Sequence, residues 1–147
     1  MKRLTVLTAL IAVLATACGG GSSPDVEEVW ARASAGIQDA GATYMTIRGG
    51  SGDDALIGVS VNSSIAERAE LHETSVMEGD EGSEMMMMNS VGSIAIPAGD
   101  EVKLEPGGYH VMLFQLAHPL ETGSEFTLTL EFESAGTIEV TVEVRES

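Results

Sequence analysis

The chain has 147 residues, 23 of them acidic and 7 basic, for a formal net charge of −16. Such acidity argues against nucleic acid as a partner and against electrostatic docking on anionic lipid, and it favours cations or a basic protein. With 1 cysteine no internal disulfide can form, so stability rests on packing one hydrophobic core, for which the length is sufficient.

Residues 1–17 read as an export signal: Lys2 and Arg3 are basic, residues 4–14 are almost wholly apolar, and Ala15-Thr16-Ala17 supplies small residues before Cys18. The apolar run falls short of the roughly 20 residues that a membrane-spanning helix needs. Small residues before a lone cysteine, followed by Gly19-Gly20-Gly21-Ser22-Ser23-Pro24, resemble the lipobox and tether of a bacterial lipoprotein, with Ala15 where that pattern prefers leucine. Cys18 is therefore the expected lipidation site, residues 18–25 the lipidated cysteine and tether, and residues 26–147 the folded domain. Ordinary signal cleavage after Ala17 is the alternative, leaving Cys18 as a free N-terminal thiol. Either route places the domain outside the cytoplasm, in a periplasm or on the outer face of the cell membrane. Loss of Lys2 and Arg3 with the signal takes the formal charge from −16 to −18.

From residue 26 onward, short apolar runs alternate with turn residues, the pattern of an all-β sandwich or barrel. The expected strands are 26–33, 42–48, 55–61, 66–72, 85–89, 101–104, 109–116, 126–133 and 137–144. Two of them alternate cleanly: Phe126, Leu128, Leu130 and Phe132 share one face, as do Ile138, Val140, Val142 and Val144. These are expected to be antiparallel strands with one wet face, joined at Ser134-Ala135-Gly136. Pro97-Ala98-Gly99-Asp100 and Glu105-Pro106-Gly107-Gly108 read as turns, since proline presets φ and glycine accepts positive φ.

Donor atoms for a metal cluster in the second half. In a strand His110 and Met112 project from the same face, one offering an imidazole nitrogen and the other a thioether sulfur. Thioether sulfur selects copper(I) over zinc, calcium or magnesium, and it carries no proton for a metal to displace. His72 and the run Met85, Met86, Met87 and Met88 lie upstream. Read singly, methionine is a flexible core filler and a lone histidine a satisfied polar residue; their joint occurrence points to metal. His118, before Pro119, reads as a surface residue.

The segment Glu70-Leu71-His72-Glu73-Thr74-Ser75, the methionine run, Ile96-Pro97-Ala98-Gly99 and Glu105-Pro106-Gly107-Gly108-Tyr109-His110-Val111-Met112-Leu113 together resemble the PCuAC family of periplasmic copper chaperones. Weaker similarity extends upstream through Trp30-Ala31-Arg32-Ala33 and Gly41-Ala42-Thr43-Tyr44-Met45-Thr46-Ile47. The family pattern leaves 21 residues between a methionine and a terminal His-x-Met, and 21 residues separate Met88 from His110. The resemblance implies an all-β, single-domain, cupredoxin-like β-sandwich or Greek-key barrel. It also nominates His72, Met88, His110 and Met112 as copper(I) ligands, with Met86, on the same strand face as Met88, as the alternative to Met88. One spacing departs from the family, in which ten residues precede the methionine: 15 separate His72 from Met88. The added length, with Met77, Glu78, Asp80, Glu81 and Glu84, is expected to form a solvated acidic loop.

By resemblance the protein is a metallochaperone, not an enzyme, and delivers copper(I) to the copper-binding subunit of a haem-copper respiratory oxidase, directly or through a Sco-type protein. Storage or detoxification of copper by a lipoprotein is the alternative, and a β-sandwich lipoprotein that binds no metal is a third reading. A blue-copper electron carrier needs a cysteine thiolate beside two histidines, and Cys18 lies at the tether. A zinc hydrolase would use histidine and carboxylate ligands rather than thioethers.

Overall fold

The computed structural model describes residues 21–34, 39–78 and 84–146. The signal, Cys18 and the start of the tether lie outside the described residues, as do Asp80 and Glu81. Among the described residues ten strands follow one another: β1 Asp25–Arg32, β2 Ala40–Arg48, β3 Asp54–Val61, β4 Ala66–Glu78, β5 Glu84–Ser90, β6 Ile94–Ile96, β7 Glu101–Leu104, β8 Tyr109–Leu116, β9 Glu125–Phe132 and β10 Gly136–Arg145. They form one sheet in the order β5-β4-β8-β7-β2-β1-β10-β9-β3-β6, with a further pairing of β8 on β2. The sheet folds over so that β3 packs against β4, near its opposite end.

The clean alternation in the sequence becomes the core. Phe126, Leu128, Leu130 and Phe132 of β9 and Val142 and Val144 of β10 are buried, and meet Leu56, Ile94, Ile96, Ile47, Leu104, Val111 and Leu113. Asp54 pins the β9–β10 hairpin to β3: its carboxylate accepts N–H bonds from Ala55 at 2.8 Å, Ser134 at 2.8 Å and Ala135 at 3.0 Å. Partial burial pushes this carboxyl up, but the N–H groups of Ser134, Ala55 and Ala135 outweigh it and hold Asp54 below the usual carboxylate range. A group depressed in the folded state stabilises above its unfolded pKa and loses that contribution as pH falls through the folded value. Asp54→Ala is therefore expected to cost about 1–3 kcal/mol at neutral pH. In denaturant melts, the gap from the parent should close with acidification below the normal aspartate range.

Two differences from the sequence expectation concern the region that carries the donor atoms. β4 continues past His72 to Glu78, and β5 runs antiparallel to it from His72↔Ser90 through Thr74↔Met88 and Val76↔Met86 to Glu78↔Glu84. Much of the expected loop is thus strand. Glu73, Thr74 and Ser75 carry no apolar period, but Thr74 and Val76 are β-branched and the methionines opposite supply cross-strand partners. The second addition is β6, only three residues long, which pairs with β3.

β2 also shows how His110 is placed. Its ladder pairs Thr43 with Val111 on β8, then Met45 with Leu104 on β7. Residues 105–110 therefore leave the β2 ladder as an excursion that turns through Gly107 at φ 89°. A side chain is strained at that φ, and glycine is not. The chain returns to the sheet with Tyr109 and His110 paired instead to Glu73 and His72 of β4.

Candidate metal centre

His72 and His110 are direct cross-strand partners, and their ring centroids lie 5.9 Å apart. Period-2 geometry puts Met112 on the same face as His110, opposite Glu70, and puts Met88 on the same face as His72, opposite Thr74. Met86 follows one repeat further out, opposite Val76. Met86, Met88, His110 and Met112 line a cavity of about 190 Å³ together with Thr74, Arg32, Ala42, Tyr44 and the Pro106-Gly107 turn. His72 stands beside His110 on the neighbouring strand, and is not part of that lining.

The added residues between His72 and Met88 do not separate them. In an antiparallel hairpin, the register at the base is independent of how far the strands continue beyond it. Much of the extra length here lies in the paired strands beyond that base, and Met88 stays one side-chain repeat from the His72 position.

Hydrogen bonding fixes the free nitrogen of each imidazole. The Nδ1 of His110 lies 3.0 Å from the carbonyl oxygen of Gly108, which can only accept, so Nδ1 carries the proton and Nε2 the lone pair. His72 has the opposite arrangement: Nε2 lies 3.1 Å from the Glu70 carboxylate and donates to it, leaving the lone pair on Nδ1. Both lone-pair nitrogens, His72 Nδ1 and His110 Nε2, are buried and have no hydrogen-bond partner among the described residues. An unpaired buried acceptor costs on the order of 1–3 kcal/mol, and two such lone pairs on adjacent strands could be donated to a metal.

Glu70 is anchored on its other side by Arg68, whose Nε donates to Oε1 at 2.8 Å. The bond from His72 and then that from Arg68 hold the Glu70 carboxyl below its usual range, so it is ionised wherever the domain is used near neutrality. Carboxylates that orient a ligating histidine typically contribute about 10- to 100-fold in metal affinity. Glu70→Ala is expected to weaken metal binding by that factor without moving the unfolding midpoint appreciably, as a competition titration and a thermal melt would show.

Aromatic side chains flank the imidazoles. Tyr44 lies 6.4 Å from His110 and 4.7 Å from Trp30 between centroids, while Phe114 lies 5.6 Å from His72. A β-bulge between Glu27 and Trp30, with Glu28 at φ 52°, brings Trp30 opposite Tyr44. His118 is exposed and away from these residues, bordering a separate hollow with Ile65 and Phe126. Glu70, Tyr44 and the Gly108 carbonyl have no metal-binding role in a reading of the sequence. Glu70 alone could have been found there, since it shares a strand face with His72; a backbone carbonyl leaves no mark in side-chain identity.

A family model described as "Putative lipoprotein LpqE-like" matches residues 25–144. A Leifsonia xyli subsp. xyli (strain CTCB07) protein described as "Putative lipoprotein Lxx21020" is 38% identical over 95 residues, 65% of this chain. The match spans about half, 55%, of that relative's length. Among solved structures, the copper-bound PCuAC domain from PmoF2 superposes with a TM-score of 0.67 at 23% identity, covering 86% of this chain and 96% of that one. The apo PCuAC domain from PmoF1 gives 0.67 at 25% identity, covering 86% and 97%. The copper(I) form of DR1885 from Deinococcus radiodurans gives 0.61 at 26% identity, covering 90% and 86%. The resemblance read from the histidine and methionine spacing is thus matched by the fold: this is an all-β, cupredoxin-like PCuAC architecture, and the chain belongs to the LpqE-like lipoprotein family.

Proposed function

We propose that the protein is an extracytoplasmic copper(I) carrier in which His72, His110, Met88 and Met112 hold the ion. The observation that carries this reading is the pair of buried, unpartnered imidazole nitrogens on facing strands, with thioethers projecting from the same sheet face. Two imidazoles and two thioethers are neutral donors, so the bound ion keeps one positive charge, balanced by the Glu70 carboxylate behind His72. The soft sulfurs favour copper(I) and exclude hard cations. Met88 is preferred to Met86 because its register places it one repeat nearer His72. The solved relatives named as copper-bound and copper(I)-bound support the same cargo.

Individually exchangeable neutral ligands at a partly open cavity suit transfer better than storage. We read the recipient as the copper centre of a haem-copper oxidase, reached directly or through a Sco-type protein, and the anchor as a lipid on Cys18 after removal of residues 1–17. X-ray absorption on the copper(I) form is expected to show a mixed sulfur and nitrogen shell; oxygen and nitrogen alone would sink the ligand set. For the recipient, copper(I)-loaded protein is mixed with an apo oxidase copper domain or an apo Sco-type protein and the metal followed. Retention against every acceptor would overturn the chaperone reading. Mass spectrometry of the native N-terminus decides the anchor.

A further inference from the structure

Large exposed apolar side chains concentrate on the β4–β5 hairpin: Val76, Met77, Met85, Met86, Met87 and Met88 are between 41% and 71% exposed. β5 is an edge strand of the sheet. Edge strands are ordinarily protected by charge, proline or short length, because unpaired backbone groups invite aggregation. Four methionines in a row at such an edge therefore call for another use. Met86 and Met88 face the metal cavity, and are accounted for there.

The other three exposed methionines fall on the opposite face. Met77 is the direct cross-strand partner of Met85, and Met87 is two residues along β5, on the same face and opposite Ser75. Directly opposed residues hold their Cβ atoms about 5 Å apart, close enough for flexible thioether arms to converge on one ion. These positions are 56%, 59% and 41% exposed, so the sulfurs serve no core. In the sequence Met77 lies well apart from the methionine run; the hairpin register makes it a neighbour.

We propose that Met77, Met85 and Met87 form a second, thioether-only copper(I) site on the reverse face of the hairpin, independent of His72 and His110. Three neutral sulfurs match a soft monovalent cation, and protons do not compete for them, since thioethers are not protonated in water. The site holds copper(I) more weakly than the first, by about 10-fold or more, because three free methionine side chains must be ordered and no imidazole is fixed in advance.

The test titrates the whole protein with copper(I) anaerobically against a chromophoric copper(I) chelator, and with silver(I) as an air-stable monovalent probe while the methionine ε-methyl resonances are followed by NMR. Two equivalents are expected, the weaker one shifting the methyls of Met77, Met85 and Met87. Replacing these three together with leucine, which keeps an apolar side chain at exposed positions, should remove the weaker equivalent and leave the stronger. His110→Leu should do the reverse. A single equivalent in the parent protein, or two retained in the triple variant, would overturn the second site. Loss of the stronger equivalent's expected dependence on His110, with the weaker one intact, would count against the proposed function and leave this site standing.

Discussion

Replacing His110 with leucine is expected to lower copper(I) affinity by more than about 100-fold, because a residue that merely supports a ligand contributes about 10- to 100-fold and His110 is proposed as a ligand itself. The same substitution should change the stability of the metal-free domain by less than about 1 kcal/mol. His110 is 3% exposed and its Nε2 is unpartnered, so leucine removes a polar atom that the fold leaves unsatisfied. The bond it forfeits is from Nδ1 to the Gly108 carbonyl, and that oxygen still accepts the Thr74 N–H at 3.0 Å. A structural histidine would behave oppositely, losing stability with little effect on metal. Competition titration and a denaturant melt on the same two samples distinguish these outcomes.

Phe132→Ala is expected to do the converse. Phe132 is 2% exposed in β9, which carries none of the proposed ligands and pairs with β10 and β3, and truncating a buried phenylalanine costs about 3–5 kcal/mol. That is a large share of the roughly 5–15 kcal/mol that holds a domain together, and no internal disulfide is available to offset it. Copper(I) affinity measured where the variant remains folded should stay within about threefold of the parent. Added copper(I) should raise the melting temperature of Phe132→Ala as it does that of the parent, by mass action on the folded state. It should leave that stronger-site shift missing in His110→Leu.

Legibility in the sequence followed the physics of each element. β9 and β10 were readable because one face is wet and the other buried, which forces alternation at every second residue. β7 and β8 begin and end where proline and glycine require turns, so their expected limits coincide with the observed ones. β6 is too short to carry a period, and the outer half of β4 is polar and paired only through its partner strand. The histidine and methionine positions were legible by type and spacing. Their convergence was not, since it depends on an excursion between β7 and β8 and on a cross-strand register set by tertiary pairing.

The carbonyl of Gly108 serves two donors at once, the imidazole of His110 and the backbone amide of Thr74. A ring drawn toward a bound ion pulls on the same oxygen that Thr74 holds, although Thr74 N–H itself touches no metal ligand atom. Occupancy of the centre should consequently be written into the hydrogen-exchange rate of one spectator proton. The Thr74 amide becomes a local gauge of loading that requires neither a coloured metal nor a labelled side chain.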